Sequence, residues 1–141
     1  MSPASKGPLV GTVGWIDLTV ADAATVRDFY QAVVGWSVAD VDMGGYADYM
    51  MSVPETGTGV AGVCWKRGGN AEMPSQWMVY IAVANLASSL EACRTRGGQV
   101  LVAPREMGQY GTYCVIRDPA GAVCALIQAP DAPDVGAGAI P

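Results

Sequence analysis

The chain contains no histidine among its 141 residues. That absence excludes Ser–His–Asp and Cys–His catalysis, imidazole acid–base chemistry and every metal site that needs an imidazole ligand. Basic residues are also sparse. Eight Lys and Arg face thirteen Asp and Glu, for a net charge of −5. They form no run that could neutralise several phosphates, so no nucleic-acid partner is expected. Apolar runs are too short for a membrane span, and the residues after Met1 lack the apolar core of a signal peptide. No C-x-x-C pair links Cys64, Cys93, Cys114 and Cys124. The expected compartment is the cytoplasm, with reduced, mostly buried thiols. No Gly-rich segment has the strand–turn–helix context of a phosphate loop.

What is present is apolar and ordered. Hydrophobic residues make up 51% and charged residues 15% of the chain, which fits a globular fold of one domain or two small modules. Val13 to Val20 alternates as a strand, with Ile16, Leu18 and Val20 on one face and Trp15, Asp17 and Thr19 on the other. Asp22 is placed to cap a helix whose stripe is Val26, Phe29, Tyr30 and Val33, ended by Gly35. The pattern then recurs. Trp77 to Val83 alternates, Asn85 takes the cap position, Leu86, Leu90 and Cys93 form the stripe, and Gly97-Gly98 stops the helix. Val20 and Val83 are 63 residues apart, as are Asp22 and Asn85.

Three strand-like runs follow each helix. They are Ser37–Val41, Tyr46–Val53 and Val60–Lys66 after the first, then Val100–Ala103, Thr112–Arg117 and Ala122–Gln128 after the second. Turn residues separate them, among them Gly44-Gly45 and Asp118-Pro119-Ala120-Gly121. The reading is an α+β protein of two tandem βαβββ modules, residues 9–67 and 77–129. A linker at 68–76 joins them, and flexible tails flank them at 1–8 and 130–141. One face of each sheet carries a helix, and the other is left to line something.

This order of elements resembles the vicinal oxygen chelate superfamily, which holds glyoxalase I, the bleomycin-resistance proteins and extradiol dioxygenases. The residues that carry the resemblance are Ile16 to Asp22, Phe29-Tyr30 with Val34-Gly35-Trp36, Val79 to Val83 with Gly97 to Val100, and Asp118-Pro119-Ala120-Gly121 before the last strand. It implies a curved, partly open barrel-like cup that holds a divalent metal. It also places metal ligands at four positions. One lies seven residues before each helix cap, at Trp15 and Met78. One lies on the last strand, at Ala125. The fourth lies around Gly62 to Cys64, with its register open. Trp15, Met78 and Ala125 offer no oxygen or imidazole donor. No metal and no cofactor are expected, and metal-dependent glyoxalase or dioxygenase activity is not expected.

With the metal gone, the cup would bind a small aromatic or amphipathic molecule. Its expected lining is Trp15, Asp17, Thr19, Trp65, Met78, Tyr80, Tyr113 and Ala125. Filler of the vacated space is the competing role for Trp15, Met78 and Tyr80. Asp17, mid-strand among apolar neighbours, is the one candidate general base. The alternative function is therefore a lyase, isomerase or dioxygenase-type enzyme, with relocated metal ligands or with a metal-independent Asp17 base. Asp48 reads as a loop or edge residue. Glu106 lies on a loop, Pro104 to Gly111, that could act as a lid. A homodimer is the expected assembly.

Overall fold

Side-chain caps start both helices of the computed structural model, which describes residues 9–130. The expected tail at 1–8, and the expected tail at 130–141 beyond Pro130, lie outside the described residues. The Asp22 carboxylate accepts from the Thr25 N–H at 3.1 Å and from the Thr25 hydroxyl at 2.8 Å, and α1 (Ala23–Val34) follows. These two hydrogen bonds hold the Asp22 carboxyl below its ordinary value. Asn85 does the same for α2 (Leu86–Thr95), accepting from the Ser88 N–H at 2.8 Å. Gly35 closes α1 in the left-handed conformation, with φ 90°.

The described residues form two compact units. Trp15–Met78 make one, and residues 79–130 with 9–14 make the other. The first contains most of β1 (Val13–Val20), then α1, β2 (Ser37–Asp42), β3 (Ala47–Ser52) and β4 (Gly59–Trp65). Its strands lie in the order β2-β3-β4-β1, with β1 and β4 parallel and the other pairs antiparallel. The second contains α2, most of β5 (Trp77–Ala82), β6 (Gln99–Glu106), β7 (Thr112–Arg117) and β8 (Val123–Gln128). Its order is β5-β8-β7-β6, again with one parallel pair, β5 with β8. Each unit is thus a βαβββ module. The residues just before β1 belong with the second unit, because the Gly11 N–H donates to the Ala82 carbonyl at 2.7 Å and the Ala82 N–H to Thr12 at 2.9 Å.

In each unit the helix covers one sheet face. The core between α1 and its sheet holds Ala23, Tyr49, Met51, Ala61 and Val63, with Ile16, Val20, Val26, Tyr30 and Val38 against them. Met51 and Val63 are fully buried, each stabilising the fold by about 1.5–3 kcal/mol relative to an exposed side chain. The core between α2 and its sheet holds Leu86, Leu90, Cys114 and Leu126, with Ile81, Val83, Val100 and Ile116. The helical stripe of α1 proves narrower than its periodicity suggests. Ala23, Val26 and Tyr30 reach the core, whereas Phe29 and Val33 stay exposed. The β6 strand is longer than expected and runs on through Pro104 to Glu106. This leaves only Met107 to Gly111 as a loop, tightened by a 3-10 turn at Gly108–Tyr110.

Candidate functional site

The pairing registers decide which side chains share a face. In the first unit Asp17 lies opposite Gly62 and Thr19 opposite Cys64, while Met50 lies opposite Gly62 on the other side. Paired residues point to the same face, and alternation along the strands adds Trp15 and Asp48. This is the face turned away from α1. Its centre is Gly62. A Cβ built there would lie 3.2 Å from Asp17 Cβ, 3.4 Å from Trp15 Cζ2 and 3.8 Å from Cys64 Sγ. The Trp15 indole therefore rests on bare backbone at Gly62, with the Asp17 side chain beside it. Trp15 and Asp17 are half-buried and Thr19 is buried.

Asp48 sits on the same face, on an internal strand and not on a loop or an edge. Its carboxylate accepts from the Trp65 N–H at 3.0 Å and from the Cys64 thiol. Burial pushes the Cys64 thiol well up, and the nearby Asp17 and Asp48 carboxylates push it further. A thiol held protonated in this way is a poor nucleophile. Trp65 lies elsewhere. It packs with the core residues beneath α1, and its indole N–H donates to the Ala47 carbonyl at 3.0 Å. Strand alternation explains this, since Trp65 follows Ala61 and Val63 on the helix side of β4.

In the second unit Tyr80 lies opposite Ala125, and Ala125 opposite Val115. Tyr113 shares that face, with its ring 6.1 Å from the Tyr80 ring at a 52° tilt. Tyr80 is buried, Ala125 and Val115 fully so, while Tyr113 is half-buried. Met78, whose place on β5 alternates with Tyr80 and Ala82, is buried too. Burial pushes Cys114 up to about 11 and raises Cys124 as well, so neither is an activated thiol. Glu106 is exposed and borders a cleft of about 270 Å3 with Thr112 and Gln128. The Gln128 side-chain oxygen is engaged there, accepting the Leu86 N–H at 2.7 Å.

These registers also settle the open position of the first module. Asp17 and Tyr80 are 63 residues apart, and their partners Gly62 and Ala125 are separated by the same interval. Gly62 is therefore the counterpart of Ala125. The four places that the resemblance assigns to metal ligands hold Trp15, Gly62, Met78 and Ala125. None carries a donor for a hard or borderline divalent cation, so these residues do not fit the metal. Among the described residues no group of three or more His, Cys, Asp and Glu is arranged to hold one elsewhere. The sequence leaves the place of Gly62 open within Gly62 to Cys64, because it depends on strand register, and reads Asp48 as a loop or edge residue, because its partners are distant in sequence.

The sequence model of the Glyoxalase/Bleomycin resistance protein/Dioxygenase superfamily matches residues 12–126. The chain belongs to that superfamily. Within it, CFP32 of Mycobacterium tuberculosis, a candidate glyoxylase, is 32% identical over 120 residues. The anthracycline biosynthesis protein DnrV of Streptomyces peucetius is 31% identical over 131 residues. The match covers 84% of this chain for CFP32 and 82% for DnrV, but 46% of either relative, so the chain spans about half their length. Methylmalonyl-CoA epimerase from Mycobacterium tuberculosis superposes with a TM-score of 0.52 at 14% identity, covering 91% of this chain and 96% of that one. That likeness shows the superfamily fold and nothing finer.

Proposed function

We propose that this superfamily member binds a small aromatic or amphipathic molecule without a metal, on the sheet faces turned away from the helices. The observation that carries this reading is the residue set at the four ligand places: Trp15, Gly62, Met78 and Ala125. Aromatic, thioether and bare-backbone positions suit apolar contact with an organic ligand. In the first module Trp15, Asp17 and Thr19 are the candidate contacts; in the second, taken by itself, they are Tyr80, Tyr113 and Ala125, and Met78 lies at the start of β5. Trp65, on the core side, is left out. The relatives' names, a candidate glyoxylase and an anthracycline biosynthesis protein, are compatible with small-molecule work.

A screen of aromatic metabolites by thermal shift tests it in chelator-treated protein. Ligands that raise the melting temperature in the absence of metal support the reading. A requirement for added Ni, Zn, Fe or Mn contradicts it.

The second reading is a metal-independent enzyme with Asp17 as its base. It is favoured by one observation, the Cβ of Asp17 standing beside the bare backbone of Gly62. Asp17→Asn would then abolish turnover, and full turnover in that variant would exclude it. No helix among the described residues is long and apolar enough to cross a membrane. The free thiols suit a reducing cytoplasm. We also infer a homodimer, which the exposed Phe29, Val33 and Val34 would help to form. Sedimentation at micromolar concentration tests that, and a monomer would contradict it.

A further inference from the structure

Three polar side chains stand in a row across the second module. Glu106 on β6 pairs with Thr112 on β7, and Thr112 pairs with Gln128 on β8. Paired residues share a face, so a carboxylate, a hydroxyl and a carboxamide follow one another at strand spacings of about 4.8 Å. The face is the one that α2 covers. Thr112 and Gln128 lie two residues from Cys114 and Leu126, which belong to the core against that helix. All three side chains line the cleft of about 270 Å3, with Gly108, Gly111 and Pro130 around them. That volume falls just short of a drug-sized pocket, and the lining is mostly polar. Each member of the row has its own hydrogen-bonding sense. Gln128 Oε1 is committed to the Leu86 N–H at 2.7 Å, which leaves the carboxamide nitrogen as a donor. The Thr112 hydroxyl donates or accepts. The Glu106 carboxylate only accepts, and it carries the one charge of the row. Among the described residues no hydrogen bond or ion pair holds that carboxylate. Arg105, next to it on β6, pairs with Tyr113 and by alternation faces the other way. The N-terminus of α2, which could draw an anion, has its first and third N–H groups engaged by Gln128 and Asn85.

We propose that this cleft is a ligand site in its own right, and that it takes a small hydroxyl-rich molecule carrying an ammonium at one end, of the amino-sugar class. The ammonium is held by Glu106, a hydroxyl by Thr112, and a second ligand oxygen accepts from the Gln128 carboxamide. Glu106 repels anions, and one carboxylate supplies too few oxygens for a hard cation. The site does not depend on the aromatic-ligand reading, because it lies on the opposite face of this module's sheet from Tyr113 and Ala125.

The test uses the full chain, labelled with nitrogen-15, and three probes: glucosamine, glucose and glucuronate. They are titrated at matched ionic strength, at a pH where the amine is protonated, and the side-chain amide signals of Gln128 report occupancy of the cleft. Glucosamine is expected to shift those signals with a Kd of about 1–10 mM, as suits a small open site. Glucose should bind about fivefold more weakly, the worth of one exposed charge pair, and glucuronate should leave the signals unmoved. Glu106→Gln keeps the side chain's size and removes its charge, so it should bring glucosamine down to the affinity of glucose. Thr112→Val should weaken both sugars about threefold, as the loss of one neutral hydrogen bond allows. Glu106 is exposed, so its variant is expected to fold, and an unchanged far-UV spectrum checks this. Gln128 signals unmoved by glucosamine overturn the proposal. So does glucuronate binding as well as glucosamine, or a glucosamine affinity unaltered in Glu106→Gln.

Discussion

Replacing Gly111 with alanine should cost far more than an exposed glycine normally does. Gly111 follows the short turn at Gly108–Tyr110 and has φ 104° and ψ −147°, a conformation that residues with a Cβ scarcely populate. Forcing alanine into it costs about 1–3 kcal/mol. The added methyl would also sit 2.1 Å from the Gln128 carbonyl oxygen and 3.1 Å from Ala129 Cα. Backbone must move to relieve that contact, and the movement breaks the terminal pairing of Thr112 with Gln128 on β7 and β8. The loss of that rung adds about 1 kcal/mol. The Gln128 side chain is drawn in too, because it accepts the first N–H of α2. A total of about 2–4 kcal/mol follows, a large share of the stability of a domain this size. Gly121→Ala is the control, with a similar φ of 95° and no atom near its added Cβ. It should cost about 1–2 kcal/mol, the left-handed penalty alone. Urea unfolding followed by circular dichroism gives both values from the midpoint at constant slope. A Gly111→Ala variant no less stable than Gly121→Ala would refute the reasoning.

Removing the α2 cap by Asn85→Ala should lower stability by about 1 kcal/mol, and a thermal melt unchanged within error would argue against the cap. Truncating the fully buried Met51 to alanine should cost about 2–5 kcal/mol in the same denaturation assay. The raised thiols predict alkaline weakening. Cys114 ionises near its ordinary value in the unfolded chain but only at about 11 in the folded one. Its contribution is therefore present below about 9 and is lost as pH rises toward 11. Stability measured from pH 8 to 11 should fall, and Cys114→Ala should flatten part of that fall; a rise would contradict it. At pH 8, the fully buried Cys114 should react with a disulfide reagent only after unfolding, and its rapid native labelling would contradict its burial.

The elements were largely readable because local chemistry specifies them. Alternation over Val13 to Val20 and the Asp22 and Asn85 caps act within a few residues, so β1 and both helix starts fall where the pattern puts them. The boundary of β6 was less readable, since pairing with β7 carries it past Pro104, a residue tolerated on a strand edge. The candidate site divides along the same line. Trp15, Asp17, Met78 and Tyr80 take their faces from strand alternation, which is local. Trp65 was misjudged because the phase of β4 depends on its register against β1, and that pairing joins residues about 45 positions apart. The same long-range register hid Gly62, whose importance lies in what other strands place against it.

The residues at the superfamily's ligand places in this chain do not fit a metal. The most direct measurement is elemental analysis by plasma mass spectrometry. The chain would be purified without chelator from cells supplied with Ni, Zn, Fe and Mn, then passed through gel filtration. Trp15, Gly62, Met78 and Ala125 predict only trace metal, far below one equivalent, with an unchanged melting temperature after chelation. One equivalent of a single metal retained through the column, and a melting temperature that falls when it is stripped, would contradict that claim.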